Sequence, residues 1–593
     1  MKKLKMIPAA LAMCAAMLLS VSAQAQTAVF VAAGSSAMFN DLAYTATVLN
    51  SQGYVLCGPN VWTVKSNAAI AAIQDNRAGT GVIANEPGNL WVTWNGSANG
   101  TGATKVCAYI AVDSSVGVRA AMAQPAATLF LASSAVGTAG AGAVPNLPNA
   151  DSSLPANVQA ALNGQTIGIA VTDVRPEDAK FATIRALSPQ GGGLVDPNPN
   201  YNNVMGSILL QAKGLGYAKG TGTSASANIG NAITSVAGTV ANPVNFALFG
   251  ADPFTNQTIG SWQTFQIGAA PVVFFVNTTA TGTGHLGDGN CTNTTTPSVC
   301  GLLDGTMQRN TDLCEPATTP AADVFGVGVW VREPISGTYN TTEYATTGSF
   351  QCFSSQEKDP ASLGVVNPAS NNPLNISGLT FNGQTAYRKR AITTGEMVKQ
   401  VANTTNPDSF GYAFWGYGNF SSSNNNAPTQ THYLTLDGID PLYSNGTYNA
   451  TTNPNGNPNG QGVFPVKTGG VYPVLPFTNL LNGSYRVWTT YRFLVANITS
   501  PSGQNASDWA QLFNQIANSD AATIYSDFVP FANMTYLHDH YYQSWTGGYN
   551  DCSNSNEAGG DMGGLVFTCA QVLGYPAVNG NVTQLPTLTQ KHM

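Results

Sequence analysis

Three segments of this chain repeat one pattern: an apolar run, a turn of small hydroxyl or acidic residues, then a stretch with helical composition. Ala28 to Ala33 reads as a buried strand, Gly34-Ser35-Ser36 ends it, and Ala37 to Leu49 reads as a helix. Lys105 to Val112 forms a second strand, followed by Asp113-Ser114-Ser115-Val116-Gly117-Val118-Arg119 and an Ala-rich helix. Gly168 to Val171 forms a third, ending in Thr172-Asp173-Val174-Arg175-Pro176, with Pro176 suited to a helix's first turn. Repetition of strand, turn and helix predicts an α/β fold. Ligands of such sheets sit at the strands' C-terminal ends, where these polar turns fall. Ser36 and the Ser114–Ser115 pair lie at helix starts, where unpartnered N–H groups favour an anion. Plain helix capping by the same residues is the bland alternative.

A fourth stretch adds a cation. Val331-Arg332-Glu333-Pro334-Ile335-Ser336-Gly337-Thr338 sets an arginine four residues ahead of a hydroxyl, a glycine and a second hydroxyl. Ser336 and Thr338 offer O–H donors, and Gly337 lets backbone N–H groups come close to a bound group. Arg332 is a planar, permanently charged fork suited to a tetrahedral oxyanion.

The chain has 593 residues, enough for several domains. Residues 1–25 read as a secretory signal: Lys2, Lys3 and Lys5, then apolar Ile7 to Val21, then the cleavage site Ala23-Gln24-Ala25. Met13 stands before Cys14 where a lipid-attachment signal wants a small residue, so export without a lipid anchor is expected. Later apolar runs such as Pro271 to Val276 fall well short of the roughly 18 residues a membrane helix needs. The expected mature protein is periplasmic or extracellular, without a membrane span. It carries 20 basic against 30 acidic residues, a net −10. That balance argues against nucleic acid or an anionic membrane as a general partner. An anion must be held by a local constellation.

After the signal, eight cysteines remain, an even count that argues for disulfides in an exported chain. No Cys-x-x-Cys occurs, and neither a metal nor a cofactor is expected. The isolation of the early and late pairs predicts Cys57–Cys107 and Cys552–Cys569. Within the middle four, Cys291–Cys300 and Cys314–Cys352 are the expected pairs.

Residues 181–265 are rich in Gly, Asn, Ala and Thr, and Lys219-Gly220-Thr221-Gly222-Thr223-Ser224 lacks the Gly-Lys-Ser/Thr ending of a phosphate loop. Gly268 to Asn277 is a continuous apolar strand, after which the chain is expected to cross into a second domain. Glu396 to Val401 reads as a helix, Asp408 to Trp415 as a turn into a strand, and 441–475 as a loop insertion. Tyr491 to Ala496 is a strand that returns to the first domain, and Trp509 to Ile516 an amphipathic helix. The expected domains are 26–274 with 485–593, and 275–484, joined by a hinge.

In this order, the pieces resemble the periplasmic phosphate-binding proteins of phosphate ABC transporters, of the type II periplasmic-binding-protein fold. Gly34-Ser35-Ser36 matches that family's first phosphate turn, and Ser114-Ser115-Val116-Gly117-Val118 its second, with Val116 in place of a glycine. Thr172-Asp173 matches its Ser-Asp turn, and Arg332 to Thr338 match its Arg-x-x-x-Ser-Gly-Thr without a gap. Weaker matches are Asp408 to Tyr412, Asp437-Gly438-Ile439-Asp440-Pro441 and Gly483-Ser484-Tyr485, where Arg486 replaces a proline. Segments near 121–160, 181–265 and 441–475 stand as insertions.

The resemblance implies two α/β domains with a hinge, closing a cleft on phosphate or a similar oxyanion. It implies an ABC-transporter permease as partner and no enzymatic activity. The ligand contacts it implies are Ser35, Ser36, Ala37, Ser114, Ser115, Asp173, Arg332, Ser336, Gly337 and Thr338. Asp173 would accept the proton of hydrogen phosphate and repel sulfate; its alternatives are pairing with Arg175 or Arg332, or capping a helix. Two other functions stay open. A cell-surface or structural protein reusing this fold accounts for the low charge, 9% of residues, and the disulfides. A secreted hydrolase can be drawn from Ser336, Asp173 and His538, but no Gly-x-Ser-x-Gly elbow occurs.

Overall fold

The strand that organises the chain is Trp262–Asn277, sixteen residues long and apolar along most of its course. In a computed structural model, the described residues are 27–47, 56–76, 85–142, 144, 147, 152–173, 257–258, 262–280, 284–289, 291–304, 307–314, 324–332, 336–342, 345–346, 376–391, 394–403, 407–420, 427–467, 472–496, 527–530, 533–534, 536–537 and 582–583. The expected signal, the turn after Asp173, residues 219–224, the helix at 509–516, Cys352, Cys552, Cys569 and His538 lie outside them.

The main strands are β1 (Thr27–Ser35), β2 (Asn60–Val64), β3 (Asn89–Trp94), β4 (Lys105–Val112), β5 (Ile169–Thr172), β6 (Trp262–Asn277), β7 (Gly328–Arg332), β8 (Ile376–Phe381), β9 (Gln384–Ala391), β10 (Ser409–Phe414), β11 (Thr431–Leu436) and β12 (Trp488–Ala496). They form one sheet in the order β8-β9-β7-β10-β6-β12-β5-β1-β4-β3-β2, with β11 also paired to β6. The α/β class expected from the repeated units is observed.

Pairing direction explains where a site can form. β1 is parallel to β4 and β5. β5 is antiparallel to β12, and β12 to the first part of β6. The second part of β6 is antiparallel to β10, which is parallel to β7, which is parallel to β9. β5 therefore runs with β6 and β10 runs against it. Both parallel sets point their C-terminal ends at the middle of β6, where Trp488 pairs with Pro271 and Phe414 with Val272.

Close strand approach depends on small residues. Gly34 has φ +147°, and a β-carbon there would collide with the Val171 carbonyl of β5. Both faces of the sheet are covered: Phe30, Phe274, Phe275, Phe414 and Phe493 lie in one core cluster, and Val31, Ile110, Val112, Ala170 and Leu494 in another. Each of the Phe, Val, Ile and Leu side chains contributes about 1.5–3 kcal/mol by leaving water. The first helix begins as a 3-10 turn, Ser36–Met38, before α1 (Phe39–Thr47). The segment near 121–160 holds regular structure, with Thr128–Leu131 in a small three-stranded sheet and a helix at Ala156–Leu162. Residues 441–467 contain neither helix nor strand, as expected. Phe464 anchors them by stacking on Phe420 at 4.6 Å, and Tyr433 donates to Asp440 at 2.9 Å.

The Cys57–Cys107 bridge is present, with Cα atoms 6.0 Å apart. The expected Cys291–Cys300 and Cys314–Cys352 pairs are not: Cys291 bonds Cys314, with Cα atoms 5.3 Å apart. Cys300 lies within helix α2 (Thr296–Asp304) and is disulfide-bonded as well. The physical reason is the turn at Asn310–Asp312. The Asn310 side chain donates to the Gly284 carbonyl, which draws the chain back to the segment before Cys291. Sequence proximity misjudged which thiols meet.

Candidate functional site

Four turns meet at the strand ends. β1 ends at Ser35, whose hydroxyl accepts from the Ala37 N–H at 3.3 Å and whose carbonyl accepts from the Tyr109 hydroxyl at 2.5 Å. Ser36 is partly exposed. β4 ends at Val112, and the buried Asp113 and Ser114 follow at the start of helix α3 (Ser114–Met122). β5 ends at Thr172, followed by Asp173, 1% exposed. β7 ends at Arg332, also 1% exposed, and helix α4 (Gly337–Thr342) follows.

Arg332 is held from several sides. Its backbone N–H donates to the Tyr412 hydroxyl at 3.1 Å. Nη1 donates to Thr338 Oγ1 at 3.3 Å and to Thr394 Oγ1 at 3.0 Å. Nη2 lies 3.7 Å from Asp113 Oδ1. A buried guanidinium with this set is a fixed positive centre surrounded by hydroxyls.

Asp173 faces the same region. Burial pushes its carboxyl up to about 6, against the opposing pull of the Ser114 hydroxyl, its backbone N–H, Arg332 and Arg492. Its carbonyl accepts from Thr489 Oγ1 at 2.9 Å. Oδ1 has no hydrogen-bond partner among the described residues. An unsatisfied buried acceptor is unfavourable by about 1–3 kcal/mol, so this oxygen is ready to take a ligand's O–H. A β-carbon on Gly337 would collide with the same carboxylate. Gly337→Ala is accordingly expected to destabilise the fold by about 1–3 kcal/mol through overpacking, read by urea unfolding. An alanine variant as stable as the parent would mean that α4 does not lie against Asp173.

The structure thus brings Ser36, Ser114, Asp173, Arg332, Gly337 and Thr338 to one place. Ser35 and Ala37 adjoin it but bond to each other, and Ser336 Oγ accepts from the Tyr339 N–H at 3.4 Å as a helix cap does. Ser115 belongs to α3, and its side chain is outside the described atoms. Three residues at the site were not picked out from the sequence. Asp113 neighbours Arg332; Thr394 opens helix α5 (Thr394–Val401); and Arg492, 1% exposed on β12, donates from Nε to Gln266 Oε1 at 3.3 Å. Signals existed: a Thr-Thr-Gly helix start, and an arginine inside an otherwise uncharged strand.

No protein-family model matches the sequence, and no curated protein matches it. Among solved structures, the fold is similar to an ABC-type phosphate transport receptor from Vibrio cholerae, at 12% identity, 46% of this chain, 74% of that chain and TM-score 0.22. It is similar to a phosphate binding protein from Stenotrophomonas maltophilia at 14% identity, covering 46% of this chain and 68% of that one, with TM-score 0.24. PstS from Borrelia burgdorferi is similar at 12% identity, with 45% and 72% coverage and TM-score 0.22.

Proposed function

We propose that this chain is an exported solute-binding protein that captures a protonated tetrahedral oxyanion, hydrogen phosphate, without turning it over. One observation carries the reading: a buried guanidinium, an acidic group with a free oxygen, and hydroxyls from four separate turns converge at the C-terminal strand ends. Hydrogen bonds to a charged group contribute about 1.5–3 kcal/mol each, so several together offset dehydration of the ligand. The domains we assign are 26–274 with 485–593, and 275–484, with the oxyanion between them. An ABC-transporter permease is the proposed recipient, and the periplasm or cell exterior the proposed place of work. Among the described residues, no helix is long and apolar enough to cross a membrane.

Calorimetric titration with phosphate, sulfate, arsenate and molybdate tests this reading, and a chromogenic phosphate ester tests for turnover. The selectivity has a stated sign. Above pH 6 or so, Asp173 is a carboxylate that accepts the proton of hydrogen phosphate and repels sulfate. Below that pH it is neutral and can donate to sulfate. The preference for phosphate, on the order of 10⁴-fold at its fullest, is expected to shrink as pH falls through about 6. Asp173→Asn should remove both the preference and its pH step. Sulfate binding as tight as phosphate binding at pH values well above that point would contradict this role.

A further inference from the structure

Resting on the proposed oxyanion site, one residue outside the expected set touches both its guanidinium and a hydroxyl of the first turn. Thr394 is 1% exposed and is the first residue of α5. Its hydroxyl oxygen lies 3.0 Å from Arg332 Nη1 and 3.3 Å from Ser36 Oγ, a residue 358 positions away in sequence. Thr338 Oγ1 lies 3.3 Å from the same Nη1. Two hydroxyls from different elements therefore flank one guanidinium nitrogen, and a third, Ser36, lies against Thr394. Guanidinium nitrogens only donate, so Thr394 Oγ1 accepts there and its own proton must point elsewhere. An acceptor within reach of that proton is Ser36 Oγ, the partly exposed member of the group. A ligand oxygen shared by Arg332 and Ser36 would lie in that direction.

We infer that Thr394 is a further oxyanion-binding residue, donating its O–H to the same phosphate oxygen shell that Arg332 and Ser36 hold. It adds a donor from the β9–α5 connection, a part of the chain that none of the expected motifs covers. Thr394 also joins the two sides of the site, because Ser36 follows β1 and Thr394 follows β9 in the other half of the sheet order.

The test uses the full chain and inorganic phosphate. Thr394→Val keeps the side chain's shape and removes the hydroxyl, and its phosphate Kd is expected to weaken about ten- to hundredfold. Thr394→Ser is expected to restore most of the affinity, and the ligand-free variants to melt close to the parent. A phosphate-loaded structure of the parent supplies a readout that survives a misfolded variant. It should place a phosphate oxygen within hydrogen-bond distance of Thr394 Oγ1, about 2.5–3.0 Å. Affinity unchanged in Thr394→Val, or a phosphate beyond that reach, would overturn the inference while leaving the site reading in place. A parent that binds neither phosphate nor another oxyanion would overturn both.

Discussion

Arg332→Ala is expected to weaken phosphate binding on the order of 10³-fold, the effect of two charge-assisted hydrogen bonds at about 1.5–3 kcal/mol each. The guanidinium is buried, and its Nη1 already sits among the Thr338 and Thr394 hydroxyls. Removing it also takes away the positive charge 3.7 Å from Asp113, which is 3% exposed. Breaking a buried pair in this way destabilises by about 3–5 kcal/mol. The cleaner comparison is therefore Arg332→Ala combined with Asp113→Asn, which removes both charges of the pair and isolates the loss of ligand contacts. Arg332→Lys should recover charge but not the planar fork, and so only part of the affinity. Calorimetry under conditions where circular dichroism shows a folded chain decides the matter. Affinity equal to the parent's in the double variant would place the pocket elsewhere.

Folding stability is expected to fall as pH rises above about 4, with Asp41 and Asp527 chiefly responsible. Both are 2% exposed, and Oδ2 of each lacks a hydrogen-bond partner among the described residues. Burial raises the Asp41 carboxyl most, and the neighbouring Asp527 charge raises it further. Burial raises Asp527 too, against the pull of the Tyr417 N–H, which donates to Oδ1 at 2.7 Å. Asp173, pushed up to about 6, acts in the same direction over a narrower range. The buried hydroxyl of Tyr491 faces all three carboxyls.

Two neighbouring buried carboxylates resist ionising together, so the folded state keeps a proton that the unfolded chain releases near pH 4. The folded state then binds more protons across the window above that pH, and stability declines through it. Each pH unit of that window amounts to about 1.4 kcal/mol. Asp41→Asn should flatten the decline, so that its advantage over the parent is larger at pH 8 than at pH 5. Urea unfolding at those two values is sufficient. Parallel pH profiles for parent and variant would dispose of the shared proton.

Much of the site was legible from neighbours in the chain. Apolar runs ending in Gly34-Ser35-Ser36, Asp113-Ser114 and Thr172-Asp173 marked β1, β4 and β5 and their C-terminal turns, because strand ends and helix starts are set by residues a few positions apart. The spacing from Arg332 to Thr338 held because one strand end and the following helix start carry it. What pairs with what was not legible in the same way. The antiparallel strands β2, β3 and β8 carry no turn motif of that kind and went unread.

By itself, the sequence determined the α/β class, the polar strand ends and the arginine four residues ahead of a Ser-Gly-Thr turn. All of these follow from short-range rules of burial, backbone sterics and helix capping. Only the tertiary structure decided that β6 runs through both halves of the sheet and so turns two sets of strand ends toward each other. It alone joined Cys291 to Cys314, set Asp41 beside Asp527, and put Thr394 between Arg332 and Ser36. Contacts of that span depend on the direction and order of strand pairing, a property of the whole sheet that no local run of residues encodes.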